Sequence, residues 1–459
     1  MCTSYARYVV HVIDIHGCWY VSCFQHLSLS ARSRRQSELC RNSENKNMPL
    51  FTPYLSPQKN RLPFCQWHIL SQINMCTMYR STCTFGPSLA RQAHSLSTKS
   101  GRHPVVAVLF QNIDYPVLNG VQKPRKPGGY QDSGADIAYA LRSKGIRVIT
   151  PEASPQVSSH RGWCFPDSEE GIYSAVKNGA THLWANTILF DTHPLQKSKK
   201  LDSYVSELFV VGQPPRLVEQ CDDKAFLNGK LHGIGGYTMP RMWLISKQQS
   251  IDSAIESIDR FPVVGKPVRG RGSHGVKVCH SKEELKTQVA ALIEESPLVM
   301  VEEFLAGEEA TLTIMPPSLE RPGHWSMLPV TRFNHAAGIA PYNGTVAVTA
   351  NSRVISNDEM KEPAYQKIMG ECVKVAQLIG ATAPIRIDVR RLREGSEFAL
   401  FDINMKPNMT GPGRPGRDDQ ASLTAMAATA MGWDYGTLLQ EILSTAQSLG
   451  SLRAYRNVL

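Results

Sequence analysis

Long apolar runs are missing from this chain. No stretch approaches the roughly 20 residues needed to cross a bilayer, so nothing in it reads as a membrane span. Paired cysteine is missing as well. Seven of the eleven cysteines precede residue 100 at irregular spacings, and Cys164, Cys221, Cys279 and Cys372 stand far apart with no CxxC pair. That pattern argues against a zinc site or a disulfide framework and fits reduced, intracellular cysteine. The formal net charge of +10 is confined in the same way. The first 100 residues hold eleven Lys/Arg against Asp14, Glu38 and Glu44, which leaves the rest nearly neutral and gives nucleic-acid binding little support.

The opening hundred residues also lack a sustained period of 2 or 3.6, and no acidic residue occurs between Glu44 and Asp114. Residues 1–102 are therefore expected to be a disordered extension. The piece from Met75 or Met78, MYRSTCTFGPSLARQAHSLSTKS, is rich in Ser, Thr and Arg, as organellar transit peptides are. A tail without function, or a misplaced start, would read the same way. Mitochondrial and cytoplasmic locations both stay open.

What is present begins at His103. PVVAVLFQNI reads as a buried strand, SGADIAYALRSKG as a helix ended by Gly145, and IRVITP as a second strand. DSEEGIYSAVKNG follows as a helix ended by Gly179, and THLWANTILF as a third strand. Strands alternating with helices imply a parallel sheet, hence an α/β domain over 103–200. Beyond it the pattern is α+β with mostly antiparallel pairing, divided into 201–297 and 298–459. Ser281 with Glu284 forms a capping box for KEELKTQVAALIEE. Helices are expected over 361–380 and 418–445.

Three segments carry chemistry. VVGKPVRGRGSHGVKV (263–278) joins two short strands through a glycine-rich cationic turn, whereas the usual phosphate loops run from a strand into a helix. Lys266 sits inside an apolar strand before Pro267, so its ammonium needs a partner, and a phosphate would serve. PIRIDVRRL and EFALFDINMKP read as a hairpin across REGS. With neighbours two apart sharing a face, Arg386, Asp388, Asp402 and Asn404 gather on one surface. Three oxygen ligands with room for water and phosphate suit Mg²⁺. An exposed polar face with cross-strand ion pairs is the other reading. VEEFLAGEEATLTI places Glu302 and Glu303 before Phe304-Leu305, either an edge that accepts from an adenine amino group or a charged strand end.

Taken in order, Lys224 in CDDKAFLN, Lys266 in VVGKPV, the loop RGRGSHG, VEEFLAGEEAT, RIDV and DINMKPNMT resemble the ATP-grasp superfamily, in particular D-alanine–D-alanine ligase and related carboxylate–amine ligases. The resemblance covers about 103–445. It implies an ATP-grasp fold, two α+β subdomains clasping ATP behind a Rossmann-like α/β domain. It also implies roles. Lys224, Lys266, Gly270, Gly272, Ser273 and Gly275 would meet the ATP phosphates; Glu302, Glu303 and Leu305 would line the adenine, and Glu309 the ribose. Asp388, Asp402 and Asn404 would hold Mg²⁺, with Mn²⁺ as a substitute, and Arg386 would stabilise the oxyanion. The implied reaction phosphorylates a carboxylate and lets an amine displace phosphate. Homodimerisation is implied by the family alone.

Departures lie at the substrate end. Asp402 stands where the ligases usually have glutamate. NMKPNMT brings Lys406 and Asn408 near the expected substrate, and GPGRPGRDD adds Arg414 and Arg417, one of which is expected to hold a substrate carboxylate. TRFNHAAGIAPYNG (331–344) falls where the ligases keep a covering loop, although its Arg332 and His335 do not align with them and a purely structural loop is the other reading. FQNIDYP and GWCFPDSEEG are read as ligand-facing loops at strand ends. The acid and the amine are small molecules, an amino acid or a small peptide. A phosphotransferase on the same fold, or a non-catalytic nucleotide-binding module, remain alternatives.

Overall fold

The computed structural model describes residues 13–15, 18–20, 103–123, 125–339, 348–456 and 459. The chain divides into two compact units, Met1–Leu89 and Ala90–Leu459. In the first, Ile13–Ile15 pairs antiparallel with Cys18–Tyr20, Asp14 opposite Trp19. The remaining expectations for 1–102, the transit peptide among them, lie outside the described residues.

The second unit is built on three sheets. Val105–Phe110 is the middle of the first, with Arg147–Val148, Phe165–Pro166 and His182–Asn186 all parallel to it. Its VVAVLF run is apolar at every position because both faces are covered. Ala107 and Leu109 pack with Ile172 and Ala175 of the helix Glu169–Lys177. Val106 and Val108 pack with Ala135, Ala138 and Leu141 of the helix Gln131–Ser143. Gly145 and Gly179 take the positive φ beyond the helix ends, as expected, and Ser168 Oγ caps the second helix by accepting from Gly171 N at 3.2 Å, while the first begins two residues ahead of Ser133, at Gln131.

This sheet reaches beyond residue 200. Phe209–Val211 adds a further parallel strand beyond residue 200, and Gln447–Ser448, near the C-terminus, pairs antiparallel on its edge. The first domain therefore borrows from both sides of the α+β region. The expected single helix over 418–445 is two, Leu423–Ala430 and Tyr435–Leu443, separated at Gly432 with φ +83°.

The second sheet runs Lys277–Cys279, Val263–Pro267, Leu298–Glu303, Met242–Ser246, all antiparallel. A boundary at 297 would cut it, because Leu298–Glu303 is its third strand. One face packs on the helices Ile251–Glu256 and Lys282–Glu295. The capping box forms in altered shape: Ser281 Oγ accepts from Glu284 N at 3.2 Å, while Glu284 reaches His280 N at 2.9 Å. The third sheet orders Ser352–Val354, Val330–Arg332, Glu309–Met315, Ile385–Arg391 and Phe398–Asn404, with Trp325–Ser326 also on Glu309–Met315. Ile385, Ile387, Val389 and Leu400 bury against Ile368, Cys372 and Val375 of the helix Pro363–Ile379, which Gly380 ends in the left-handed region.

The second and third sheets thus each present an uncovered polar face. Between those faces lies a cavity of about 450 Å³.

Candidate functional site

Strand alternation puts Val264 and Lys266 on the cavity side of the second sheet while Val263 enters its core. Glu302 lies opposite Val264 in the register, one diagonal step from Lys266. The Lys266 ammonium reaches Glu302 Oε2 at 2.5 Å and donates to the Phe401 carbonyl at 3.3 Å. Asn228 Nδ2 donates to the other Glu302 oxygen at 3.1 Å. The partner that a buried lysine required is therefore a carboxylate within the protein.

On the facing sheet, Asp388 pairs with Asp402 and Arg386 with Asn404, which brings the four onto one face. Arg386 clasps Asp388 in bidentate fashion, both contacts at 3.0 Å, and Thr311 Oγ1 donates to Asp388 at 2.7 Å. Asn404 Nδ2 stands 3.2 Å from Asp388 Oδ2 and 3.4 Å from Asp402 Oδ2, so the three side chains converge. Lys224 Nζ lies 2.6 Å from Asp402 Oδ1. Burial would push the Asp402 carboxyl up, but Lys224, Lys266 and Arg386 outweigh it and hold the group at about 2. Burial would likewise weaken the charge on Lys224 and Arg386, and their carboxylate partners raise both above their ordinary values.

A bulge separates Asp388 from Val389, so Val389 faces Leu400 and Phe401 is left unmatched. The strand pattern assigned Phe401 to the face opposite Asp402. The extra residue instead brings it to the cavity wall beside Asp402.

The loop between the two strands of the second sheet carries consecutive left-handed residues, Gly272 and Ser273 at φ +59° each, then Gly275 at φ +68°. Gly270, Gly272 and Ser273 line the cavity, and Gly275 packs under the loop against Leu292 and Pro267. At the loop's base Arg269 is tied to Asp222 and Asp223 at 3.4 and 3.2 Å.

Glu303, Phe304 and Leu305 line the cavity beyond Glu302. Glu309 is buried and meets His335 Nε2 at 2.8 Å, with Arg332 and Arg390 each 3.9 Å away. Arg332 and His335, which do not align with the ligases, thus converge on Glu309. Residues 340–347 of the expected covering loop lie outside the described residues.

Lys406 and Asn408 also line the cavity. Arg414 does not belong there. It is buried, with Nε 2.8 Å from Asp136 and a terminal nitrogen 2.6 Å from Asp132, and Arg417 joins the same two carboxylates. Both cations pair with carboxylates of the helix Gln131–Ser143 and neither lines the cavity, where one of them was expected to hold a substrate carboxylate. GWCFPDSEEG has a structural task as well. Buried Asp167 accepts from Asn112 N, Ile113 N and Thr187 Oγ1 at 2.7, 3.0 and 2.5 Å, pinning the loops at the strand ends.

Sequence reasoning missed Lys123, Lys126 and Tyr130. Lys123 is buried against Asp222, and burial lowers it to about 8. Lys126 precedes and Tyr130 ends PGGY, a glycine-rich turn entering the helix Gln131–Ser143. A cationic glycine turn between a strand and a helix is the signal that could have found them.

Hard oxygen donors on Asp388, Asp402 and Asn404 suit Mg²⁺, and the cavity, with cations on two walls and apolar Val264, Leu305 and Ile403 between them, has the size and lining of a nucleotide site. Among the described residues no cluster of three or more His, Cys, Asp or Glu forms a metal site, so a divalent ion here would need water or phosphate to complete its shell.

Two α+β lobes enclosing a cavity behind an α/β domain define the ATP-grasp fold. The D-alanine–D-alanine ligase of Bacillus anthracis, solved with ATP, superposes with a TM-score of 0.51 at 17% identity, over 74% of this chain and 97% of that one. The VanG D-Ala:D-Ser ligase of Enterococcus faecalis gives 0.52 at 16% identity, over 74% and 98%. Within that fold the chain resembles the D-alanine–D-alanine ligases. Residues 237–444 match the family model for the D-ala D-ala ligase C-terminus. The ligase of Aquifex aeolicus is 31% identical over 186 residues, 40% of this chain and 57% of that enzyme, less than two thirds of its length. Ligase A of Bacillus cereus is 26% identical over 229 residues, 49% of this chain and 68% of that enzyme. Among the described residues no helix is long and apolar enough to cross a membrane.

Proposed function

We propose that this protein is an ATP- and Mg²⁺-dependent ligase that joins a small carboxylic acid to an amine through an acyl phosphate. The observation that carries the reading is the pair of opposed polar faces, Lys224 with Arg386, Asp388, Asp402 and Asn404 across the cavity from Lys266. Phosphoryl transfer asks little covalent chemistry of a protein and much charge placement, which is what these faces offer.

In this reading Asp388, Asp402 and Asn404 hold Mg²⁺, which neutralises phosphate charge when bound. Lys224 and Lys266 exchange their carboxylate partners for phosphate oxygens, so the ion pairs keep buried charges satisfied until nucleotide arrives. Gly270, Gly272 and Ser273 close over the phosphates, while Glu302, Glu303 and Leu305 border the base and Glu309 the ribose. Arg386, held charged by Asp388, faces the oxygen that gains charge as the acyl carbonyl is attacked. The γ-phosphoryl passes to the carboxylate oxygen and ADP leaves. The amine then forms the C–N bond, and phosphate departs.

The test incubates the full chain with ATP, Mg²⁺, hydroxylamine and a panel of acids. An acid-dependent hydroxamate, released in step with ADP, is the expected result. A stable phosphorylated acid would establish a phosphotransferase instead. Nucleotide binding without turnover on any acid would leave a binding module.

A further inference from the structure

Among the described residues, one cation of the cavity has no carboxylate beside it. Asp222, Glu302, Glu309, Asp388 and Asp402 each already face a lysine, arginine or histidine. Lys406 has none. Its ammonium is buried without a hydrogen-bond partner and stands 3.4 Å from the centroid of the Tyr130 ring. Lys126 reaches the same ring at 4.7 Å. Among the described residues the terminal nitrogens of Arg271 are likewise buried without a hydrogen-bond partner, the guanidinium standing 5.6 Å from the Tyr115 ring centroid. A ring face offsets part of the cost of a buried ammonium and leaves its hydrogen-bonding capacity unfilled.

Position sets Lys126 and Tyr130 at the end of the first sheet. Lys126 and Tyr130 belong to the turn after Val105–Phe110, held there by Gln111 N donating to Gly129 O at 2.8 Å. That is the carboxyl end of a parallel strand, where open α/β sheets place ligands. Lys406 follows Asn404 by two residues.

We propose that Lys406 and Lys126, over Tyr130, bind a second anionic group of the acid substrate, so that the acid is a dianion, dicarboxylic or phosphorylated, and not a zwitterionic amino acid. This rests on the ligase reading, which sets the reacting carboxylate at Arg386. An α-ammonium near two lysines and an arginine would be repelled, whereas an anion supplies the missing acceptors.

The full chain is titrated by calorimetry with succinate, glutarate, adipate and phosphonoacetate, each against a matched monocarboxylate and D-alanine, with and without Mg²⁺ and a non-hydrolysable ATP analogue. At least one dianion is expected to bind ~10-fold or more tightly than its matched monoacid, the scale for truncating one partner of a desolvated charge pair. Dicarboxylates and the phosphonate tell the two sources of charge apart. Lys406→Met should erase the preference, Lys406→Arg retain most of it, and Lys126→Met, at the cavity's more open edge, weaken it. Equal binding of monoacids or D-alanine would overturn the proposal, as would a Lys406→Met defect confined to nucleotide. The same acids run through hydroxamate trapping separate the two readings. A dianion that binds without hydroxamate leaves this subsite standing and removes the ligase reading; a D-alanine hydroxamate untouched by Lys406→Met does the reverse.

Discussion

Asp402 is the residue on which the metal-facing surface turns. It sits between Lys224 and Asn404 and opposite Asp388, and its carboxylate is kept charged by three cations. Asp402→Asn keeps the shape and removes the charge, so turnover should fall by on the order of 10²–10³ with an unchanged circular dichroism spectrum. Steady-state kinetics that match the parent would take Asp402 out of the site. A pH dependence follows as well. The folded value of about 2 lies below the ordinary 3.8, so the folded chain binds fewer protons than the unfolded one in that interval. The contribution is present above the ordinary value and lost as pH falls towards 2. In urea unfolding between about pH 4 and pH 2, Asp402→Asn should lose less stability than the parent; parallel curves would contradict the ion pairing. Within each strand the shared faces were legible from period-2 alternation, although the register set at the REGS turn would put Asp388 opposite Phe401 and it is the bulge that brings Asp402 there. Phe401 was not, since a bulge adds a residue without leaving a mark in an apolar run.

Among the elements, the glycine loop carries the clearest backbone demand. Gly275 adopts φ +68°, and a Cβ there would meet Leu292 Cδ2 at 2.8 Å and Pro267 Cδ at 3.2 Å. Gly275→Ala should therefore cost about 1–2 kcal/mol from the left-handed backbone alone, with the clash added. Gly270 takes no left-handed φ and would meet Pro267 Cγ at 3.0 Å, a smaller conflict. Chemical denaturation of both variants should rank Gly275→Ala below Gly270→Ala, and equal midpoints would mean the loop relaxes freely. The strand–loop–strand arrangement was visible from two β-branched runs around four glycines. The loop's anchor was invisible, because Arg269 pairs with Asp222 and Asp223 across a sequence separation of more than 40 residues.

At the scale of the whole molecule, the ties that assemble the three sheets are the least legible in sequence, since they depend on short or distant segments. Phe209–Val211 and Gln447–Ser448 are three and two residues long, too brief to show a period, yet they complete the first sheet. Asp136 and Arg414 lie 278 positions apart and still form a buried pair that fixes the helix Gln131–Ser143 to the loop before Leu423–Ala430. Gly413 touches that helix so closely that a Cβ would stand 2.6 Å from Asp136 Cα. Burial pushes the Asp136 carboxyl up despite two guanidiniums, which shows how costly the enclosed charge is. Breaking the pair from one side should then hurt more than removing it. Asp136→Ala leaves Arg414 buried without its main partner and is expected to lose about 3–5 kcal/mol, whereas Asp136→Leu with Arg414→Met should recover most of that. Urea titration of the single and double variants decides. A single variant within about 1 kcal/mol of the parent would show that the helix is held by its apolar contacts with Val106 and Val108 alone.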